Sequence, residues 1–479
     1  MNVETKRGFQ ALADSGHPVG EVIAVNSFLV EIRGMQPVNM HSLIIFDDGS
    51  KGFVHRILED KVLALHLGAK PVKVGMLVAV QYLELLTKVG KDYIGRVISV
   101  TGDPLDGKGA IAADDAWKVF NSSPPIYERE LLETQLETGV TMLDALFPIV
   151  RGQRLAILGE SKSGKSTLAS QIAINQKNTD QIVVYVLIAK RRSDIDTLLS
   201  RLNENQALSK AIVVVSTIFE SLALSYLAPY VGCALAEYLW QKEGIDTLII
   251  YDDLAAHAHA YREIALISGT SPGRDSYPGD IFHTHSSLLE RAGRLKANHR
   301  CLTALPVVAA DAGDITAYLP TNIMSITDGQ WIMDMEVFRQ GLRPALNLGT
   351  SVTRVGTRGY NERQKDQNAK VLKAMAAYNQ ALQFAHFGSG LAPAAKADIA
   401  LGNRLREVFT QAPGETYSLM AQQLMLDVVL AADINAPLNV SLLKRQAPHM
   451  ASLVKADNDY ELVKVQLTEQ VQSGEEPKK

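Results

Sequence analysis

The sequence predicts an α/β core built on a parallel sheet, preceded by a small β-barrel or sandwich and followed by a helical bundle. Three observations predict this. Short strand-like runs broken by turn residues fill 18–94. Continuous Val/Ile/Leu runs alternate with helical stretches from Gly152 onward. From about residue 365 the apolar spacing is helical only. At roughly 100–200 residues per domain, 479 residues allow two to four domains. The boundaries are read as an N-terminal extension over 1–17, the β domain over 18–94, the α/β domain over 95–364 and the helical domain over 365–479.

In order, Gly20–Gly34 holds two β-rich runs around Asn26-Ser27. Ser42–Phe46 and Lys51–His55 flank Asp47-Asp48-Gly49-Ser50, a hairpin turn, and Val62–Leu67 and Leu77–Tyr82 follow. Thr101–Ile111 is turn-rich, and Asn121–Pro125 is a Ser/Pro linker. Strands are expected at Leu155–Leu158, Ile182–Ala189, Ala211–Ser216, Thr247–Tyr251 and Leu302–Val308, the last closing the set. Helices are expected between them at Lys165–Asn175, Asp194–Asn203, Tyr226–Gln241 and Ala255–Gly269. Runs apolar on both faces belong to a parallel sheet covered on both sides. Helices then follow at Lys365–Phe387, Ala395–Thr410, Tyr417–Ala432 and Leu438–Val454. Gly388–Pro393 breaks the first, and Ser473–Lys479 reads as a frayed tail.

Composition excludes several classes. Lys and Arg number 48 against 52 Asp and Glu, a net charge of −4, so neither a basic coat for nucleic acid nor an acidic disordered chain is expected. No apolar run reaches the ~18 residues of a membrane span, and Met1–Gly20 lacks the apolar stretch of a signal peptide. The two cysteines, Cys233 and Cys301, form no CxxC pair, which fits a reducing cytoplasm.

Gly159-Glu160-Ser161-Lys162-Ser163-Gly164-Lys165-Ser166 fits G-x-x-x-x-G-K-S/T between an apolar strand and a helix, with Thr167 completing the turn. Glycines let backbone N–H groups wrap phosphates, and the helix N-terminus adds positive potential. Lys165 reaches β- and γ-phosphates, and Ser166 ligates Mg²⁺. A strand-end carboxylate should complete the site. Asp252 fits, holding Mg²⁺ through water, while Asp253 fits a helix cap.

Binding is not cleavage. The strand after the phosphate-loop helix ends in Ala189-Lys190-Arg191-Arg192, with no Glu to orient water, and Asp194 and Asp196 fall in a helix start. This predicts binding without efficient turnover. Arg354, just past a strand, suits either an ordinary salt bridge or a finger onto a neighbour's γ-phosphate. His257/His259 and His283/His285 stand at i, i+2, where helical side chains diverge, so a metal site is not expected.

Several blocks resemble the α-subunit family of F-type ATP synthases, and the likeness runs from about Gly20 to the C-terminal helices. They include Asp106-Gly107-Lys108-Gly109, Pro148-Ile149-Val150-Arg151-Gly152-Gln153-Arg154, Tyr226-Leu227-Ala228-Pro229-Tyr230 and Ile249-Ile250-Tyr251-Asp252-Asp253-Leu254. Pro272-Gly273-Arg274 and Leu288-Leu289-Glu290-Arg291-Ala292 belong to them too. Most specific is Ala317-Tyr318-Leu319-Pro320-Thr321-Asn322, continued by Ser325-Ile326-Thr327-Asp328-Gly329-Gln330, which separates α from the homologous catalytic β subunit. The resemblance implies a β-barrel, a RecA-like P-loop nucleotide-binding domain and a helical bundle. It implies a non-catalytic site for Mg²⁺ and ATP (or ADP), with Arg343-Pro344 and Gln411 at the adenine. It implies that Arg354, with Ser351 and Ser325 beside it, acts in trans at the β-subunit site. The implied partners are β subunits in an alternating hexamer, a central-stalk γ subunit and peripheral-stalk δ and b subunits, with no nucleic acid and no direct membrane insertion. Such a complex makes ATP from ADP and phosphate with a proton (or sodium) gradient, at the cytoplasmic face of the cell membrane.

The sequence also departs from that family. Lys190-Arg191-Arg192 replaces Gln-Lys-Arg, Ser161-Lys162-Ser163 replaces Arg-Gln-Thr, and Thr353 replaces a serine. The segment before Gly20 is short for stalk docking. These departures leave room for an α-like subunit of a specialised ATPase not used for synthesis. A hexameric nucleic-acid motor of similar core would need basic grooves with stacking aromatics, and residues 18–94 hold few.

Overall fold

Six strands, Val19–Asn26, Leu29–Arg33, Leu43–Phe46, Lys51–Ile57, Val62–His66 and Leu77–Tyr82, close into an antiparallel barrel in the computed structural model, which describes residues 8–386 and 392–473. Closure leaves no free sheet edge. Alternate residues such as Val30, Ile32, Ile44 and Val54 fill its interior. At the predicted hairpin, Gly49 has φ +85°, and Phe46 N–H donates to the Ser50 carbonyl at 2.9 Å. A short helix, Phe9–Asp14, seats Leu12 against Ile45 and Ala79 on the barrel's outside. Residues 1–7 of the expected extension lie outside the described residues. The next strand, Leu86–Val89, leaves the barrel and pairs with Asp115–Lys118.

The central sheet runs in the order Val352–Thr353, Gly329–Met333, Ala156–Gly159, Cys301–Ala309, Thr247–Asp252, Ile182–Lys190, Ala211–Thr217, Val97–Ser99. The pairings from Gly329–Met333 to Val97–Ser99 are parallel. The expectation that Leu302–Val308 closes the set is overturned. Gly329–Met333 follows it as a full parallel strand, and Val352–Thr353 and Gly293–Arg294 add antiparallel edges. Those edge strands have two residues each, too few for any periodicity to register; only their partners define them. Strand alternation divides the core. Val183, Tyr185 and Leu187 face helices Lys165–Asn175 and Arg192–Glu204, whereas Val184, Val186 and Ile188 face Leu222–Glu237 and Leu254–Ile267.

The expectation that no apolar stretch reaches membrane length is also corrected. Helix Leu222–Glu237 with its π-helical continuation Tyr238–Lys242 spans 21 residues, long and apolar enough to cross a membrane by composition. It is mostly buried against the sheet, which accounts for that composition.

Among the described residues five C-terminal helices follow: Glu362–His386, Pro393–Phe409, Leu419–Ala431, Val440–Leu453 and Asp457–Ser473. The expected break at Gly388–Pro393 and tail at Ser473–Lys479 fall largely on 387–391 and 474–479, outside the described residues. The last helix is an addition to the sequence reading. Its buried stripe, Tyr460, Val463, Leu467 and Val471, is masked in the sequence by the exposed Leu462 and Val465 between those positions. The bundle shares one core with the sheet, since Val371, Leu405 and Leu424 join the cluster of Leu168 and Val183.

Candidate nucleotide site

The loop Gly159–Ser166 turns from the end of strand Ala156–Gly159 into helix Lys165–Asn175. Met333 on the neighbouring strand approaches so closely that a Cβ on Gly159 would lie 2.4 Å from its carbonyl oxygen. Gly164 takes φ +99° at the helix N-cap, a left-handed conformation that glycine adopts freely. Lys165 Nζ donates to the carbonyls of Gly159 (2.8 Å) and Glu160 (2.7 Å), which holds the ammonium inside the loop. Burial pushes its pKa down to about 8, with partial compensation from Asp253 and Asp252. Ser163 Oγ is buried without a partner. Ser161, Lys162 and Ser166 are exposed, and Thr167 Oγ1 accepts from Arg201 at 3.3 Å. A cradle that only glycine fits, with an orphaned hydroxyl inside it, suits a phosphate chain.

Beside the loop lies a cavity of ≈ 250 Å³ lined by Thr167, Leu168, Gln171, Phe338, Arg343, Pro344 and Gln411. Arg343 stacks over the Phe338 ring, 3.4 Å from its centroid. Flat apolar walls of this kind fit an aromatic base. Gln411 borders the cavity, but its carboxamide serves the backbone. Oε1 accepts from Thr141 N–H at 2.7 Å, and Nε2 donates to the carbonyls of Gly139 and Glu415, each at 2.9 Å.

Asp252 ends its strand inside the site. Its Oδ1 accepts from Ser166 Oγ at 3.3 Å and from Lys190 Nζ at 2.6 Å, and its Oδ2 accepts from Tyr185 Oη at 3.0 Å. Asp253 caps the following helix by accepting from Ala256 N–H at 2.7 Å. By strand parity Lys190 would face away from Tyr185. A register shift between Leu187 and Lys190, with Ala189 at φ +49°, turns it onto the same carboxylate. Burial lowers the Lys190 pKa, but Asp252 and Asp253 outweigh it, so the net shift is upward. On the carboxylate expected to hold Mg²⁺ through water, the Lys190 ammonium thus already stands at Oδ1, where it competes with a divalent cation.

Arg354 stands elsewhere. Its strand pairs antiparallel with Gly329–Met333, placing Thr353 opposite Gly329, while Met333 lies opposite Gly159. Four residues of strand, about 13 Å, therefore separate Arg354 from its own phosphate loop. The side chain is exposed and donates to the Thr327 carbonyl at 3.0 Å; among the described residues it forms no ion pair. Ser325 is exposed nearby and bonds the Thr321 carbonyl at 2.8 Å. Ser351 is buried, and its Oγ accepts from Ile332 N–H at 3.0 Å.

The profile described as ATP synthase alpha/beta family, nucleotide-binding domain, matches residues 139–353. ATP synthase subunit alpha of Dehalococcoides mccartyi is 40% identical over 397 residues, covering 82% of this chain and 79% of its own length. The chain belongs to the ATP synthase alpha subunit family. For a member of that family, the sequence reading missed Tyr185, Phe338 and Gln171. Only Tyr185 left a trace, as the one hydroxyl in the aliphatic run Ile182–Ala189. His257 Nδ1 lies 3.0 Å from His285 Nε2 in the core, while His259 stacks on Tyr277, and among the described residues no cluster of three or more His, Cys, Asp or Glu side chains gathers.

Proposed function

We propose that this chain is the nucleotide-holding, non-catalytic α subunit of an ion-translocating F-type ATP synthase. Lys165 and the loop amides bind the phosphates of ATP or ADP, and the cavity beside Phe338 and Arg343-Pro344 takes the adenine. The observation that carries the non-catalytic reading is the cationic end of strand Ile182–Lys190. An ammonium cannot accept a proton from water at neutral pH, and Lys190 is held protonated by Asp252 and Asp253. Asp194 and Asp196 are exposed on the next helix, and Asp196 pairs with Arg192 at 3.0 Å. Neither is offered to a bound phosphate.

The same reading assigns Arg354 to a neighbouring subunit's site. Its distance from this chain's own loop and its exposure support action in trans, where a guanidinium stabilises charge on a transferring phosphoryl group. Ser325 and Ser351 lie on the elements that support it. The partners proposed are β subunits alternating with this chain in a hexamer, a γ subunit in the central stalk, and δ and b subunits in the peripheral stalk. The chain would sit peripherally at the cytoplasmic face of the membrane, in a complex that phosphorylates ADP using an ion gradient.

A single-turnover experiment tests the non-catalytic role. The purified full chain, mixed with limiting ATP and Mg²⁺, is expected to retain the nucleotide and release no burst of phosphate. Rapid phosphate release would overturn the assignment.

A further inference from the structure

Asp252 is the carboxylate on which a phosphate-loop site would set its metal, yet here its capacity is nearly filled. A carboxylate offers about four lone-pair positions. Lys190 Nζ (2.6 Å), Ser166 Oγ (3.3 Å) and Tyr185 Oη (3.0 Å) fill three of them, and the side chain is only 3% exposed. Lys190 is held from a second side by Asp253 Oδ2 at 3.5 Å, and its approach is built into the backbone by the register shift after Leu187. Mg²⁺ demands near-octahedral oxygen ligands and keeps several waters. A metal-bound water taking the one remaining position on Asp252 would set the cation beside the Lys190 ammonium, and like charges repel.

Positive charge is nevertheless abundant at the loop. Lys165 lies inside it, Lys162 stands exposed on it, and Arg201 bonds Thr167 on the following helix turn. With Lys190 offsetting the Asp252 charge that would repel a polyphosphate, these three cations face the phosphates without a metal.

We propose that this site binds a metal-free nucleoside polyphosphate, with the Lys190 ammonium doing at Asp252 what a divalent cation does in other phosphate-loop sites. The inference rests on the nucleotide-binding reading and deepens it. Lys190 is thereby the residue that sets which form of the nucleotide the chain accepts.

Equilibrium dialysis of ATP against the full chain, in excess Mg²⁺ and in excess EDTA, tests this. The wild-type affinity in EDTA is expected to stay within about threefold of that in Mg²⁺. Lys190→Gln removes the charge and is expected to weaken binding in EDTA by about tenfold or more, with recovery in Mg²⁺. Lys190→Arg keeps the charge and should remain indifferent to the metal. A wild-type chain that loses about tenfold or more of its affinity in EDTA overturns the inference and leaves the nucleotide site standing. A Lys190→Gln chain as indifferent to metal as the wild type also overturns it. Absence of ATP binding in both buffers overturns the nucleotide site itself, and the inference with it.

Discussion

Arg354→Ala is expected to lower ATP hydrolysis by the assembled complex about 10³-fold or more, with assembly unchanged. Two features of the structure separate these effects. The guanidinium is exposed and makes no ion pair among the described residues, so its removal takes one neutral hydrogen bond, that to the Thr327 carbonyl, and strands no charge. The stability change should therefore stay near the ~1 kcal/mol of a single lost hydrogen bond. The rate change is large because a planar guanidinium stabilises charge that develops on the phosphoryl group only in the transition state. Arg354→Lys keeps the charge but loses the rigid fork, and should fall between the two. The measurement is steady-state phosphate release from the reconstituted complex, with size-exclusion chromatography to verify assembly. A near-normal rate from an intact Arg354→Ala complex would sink the assignment.

What the sequence made legible was local. The barrel strands are alternating runs closed by turn residues, and the phosphate loop is a contiguous motif between a strand and a helix. What stayed hidden depends on partners distant in the chain. Gly329–Met333 becomes a core strand because it pairs with Ala156–Gly159, and Val352–Thr353 exists as a strand only through that one. Phe338 joins the cavity beside the phosphate loop by lying beneath Arg343. Lys190 shows the limit most clearly. Its charge and its place at a strand end were plain, but counting by twos puts it on the wrong face. The register shift that turns it onto Asp252 comes from the strand's fit to Ala211–Thr217, which no spacing in its own segment encodes.

Arg291→Met is expected to destabilise the chain by about 3–5 kcal/mol, the cost of leaving a buried charge unpaired. Arg291 and Glu237 have side chains 1% and 0% exposed. The guanidinium donates to Glu237 Oε1 at 2.7 Å and to Oε2 at 2.6 Å, and also to the Val119 carbonyl at 2.8 Å. Trp117 Nε1 and Asn121 Nδ2 add bonds to the same Oε2, each at 3.2 Å. The cluster thus fastens the segment leaving the barrel to helix Leu222–Glu237 and to the turn after Ile281–Leu289. Methionine fills much of the space of the arginine stem but leaves the Glu237 carboxylate with two neutral donors and no water. The double variant with Glu237→Gln should recover much of the loss, since an amide carbonyl still accepts from Trp117 and Asn121 and carries no charge to desolvate. The chain's three tryptophans, Trp117, Trp240 and Trp331, all report on this central domain, so urea unfolding followed by their fluorescence reads the effect directly. If the double variant is no more stable than Arg291→Met, the penalty comes from the lost bond to Val119 and the packing of the arginine stem, and the unpaired carboxylate is not its source.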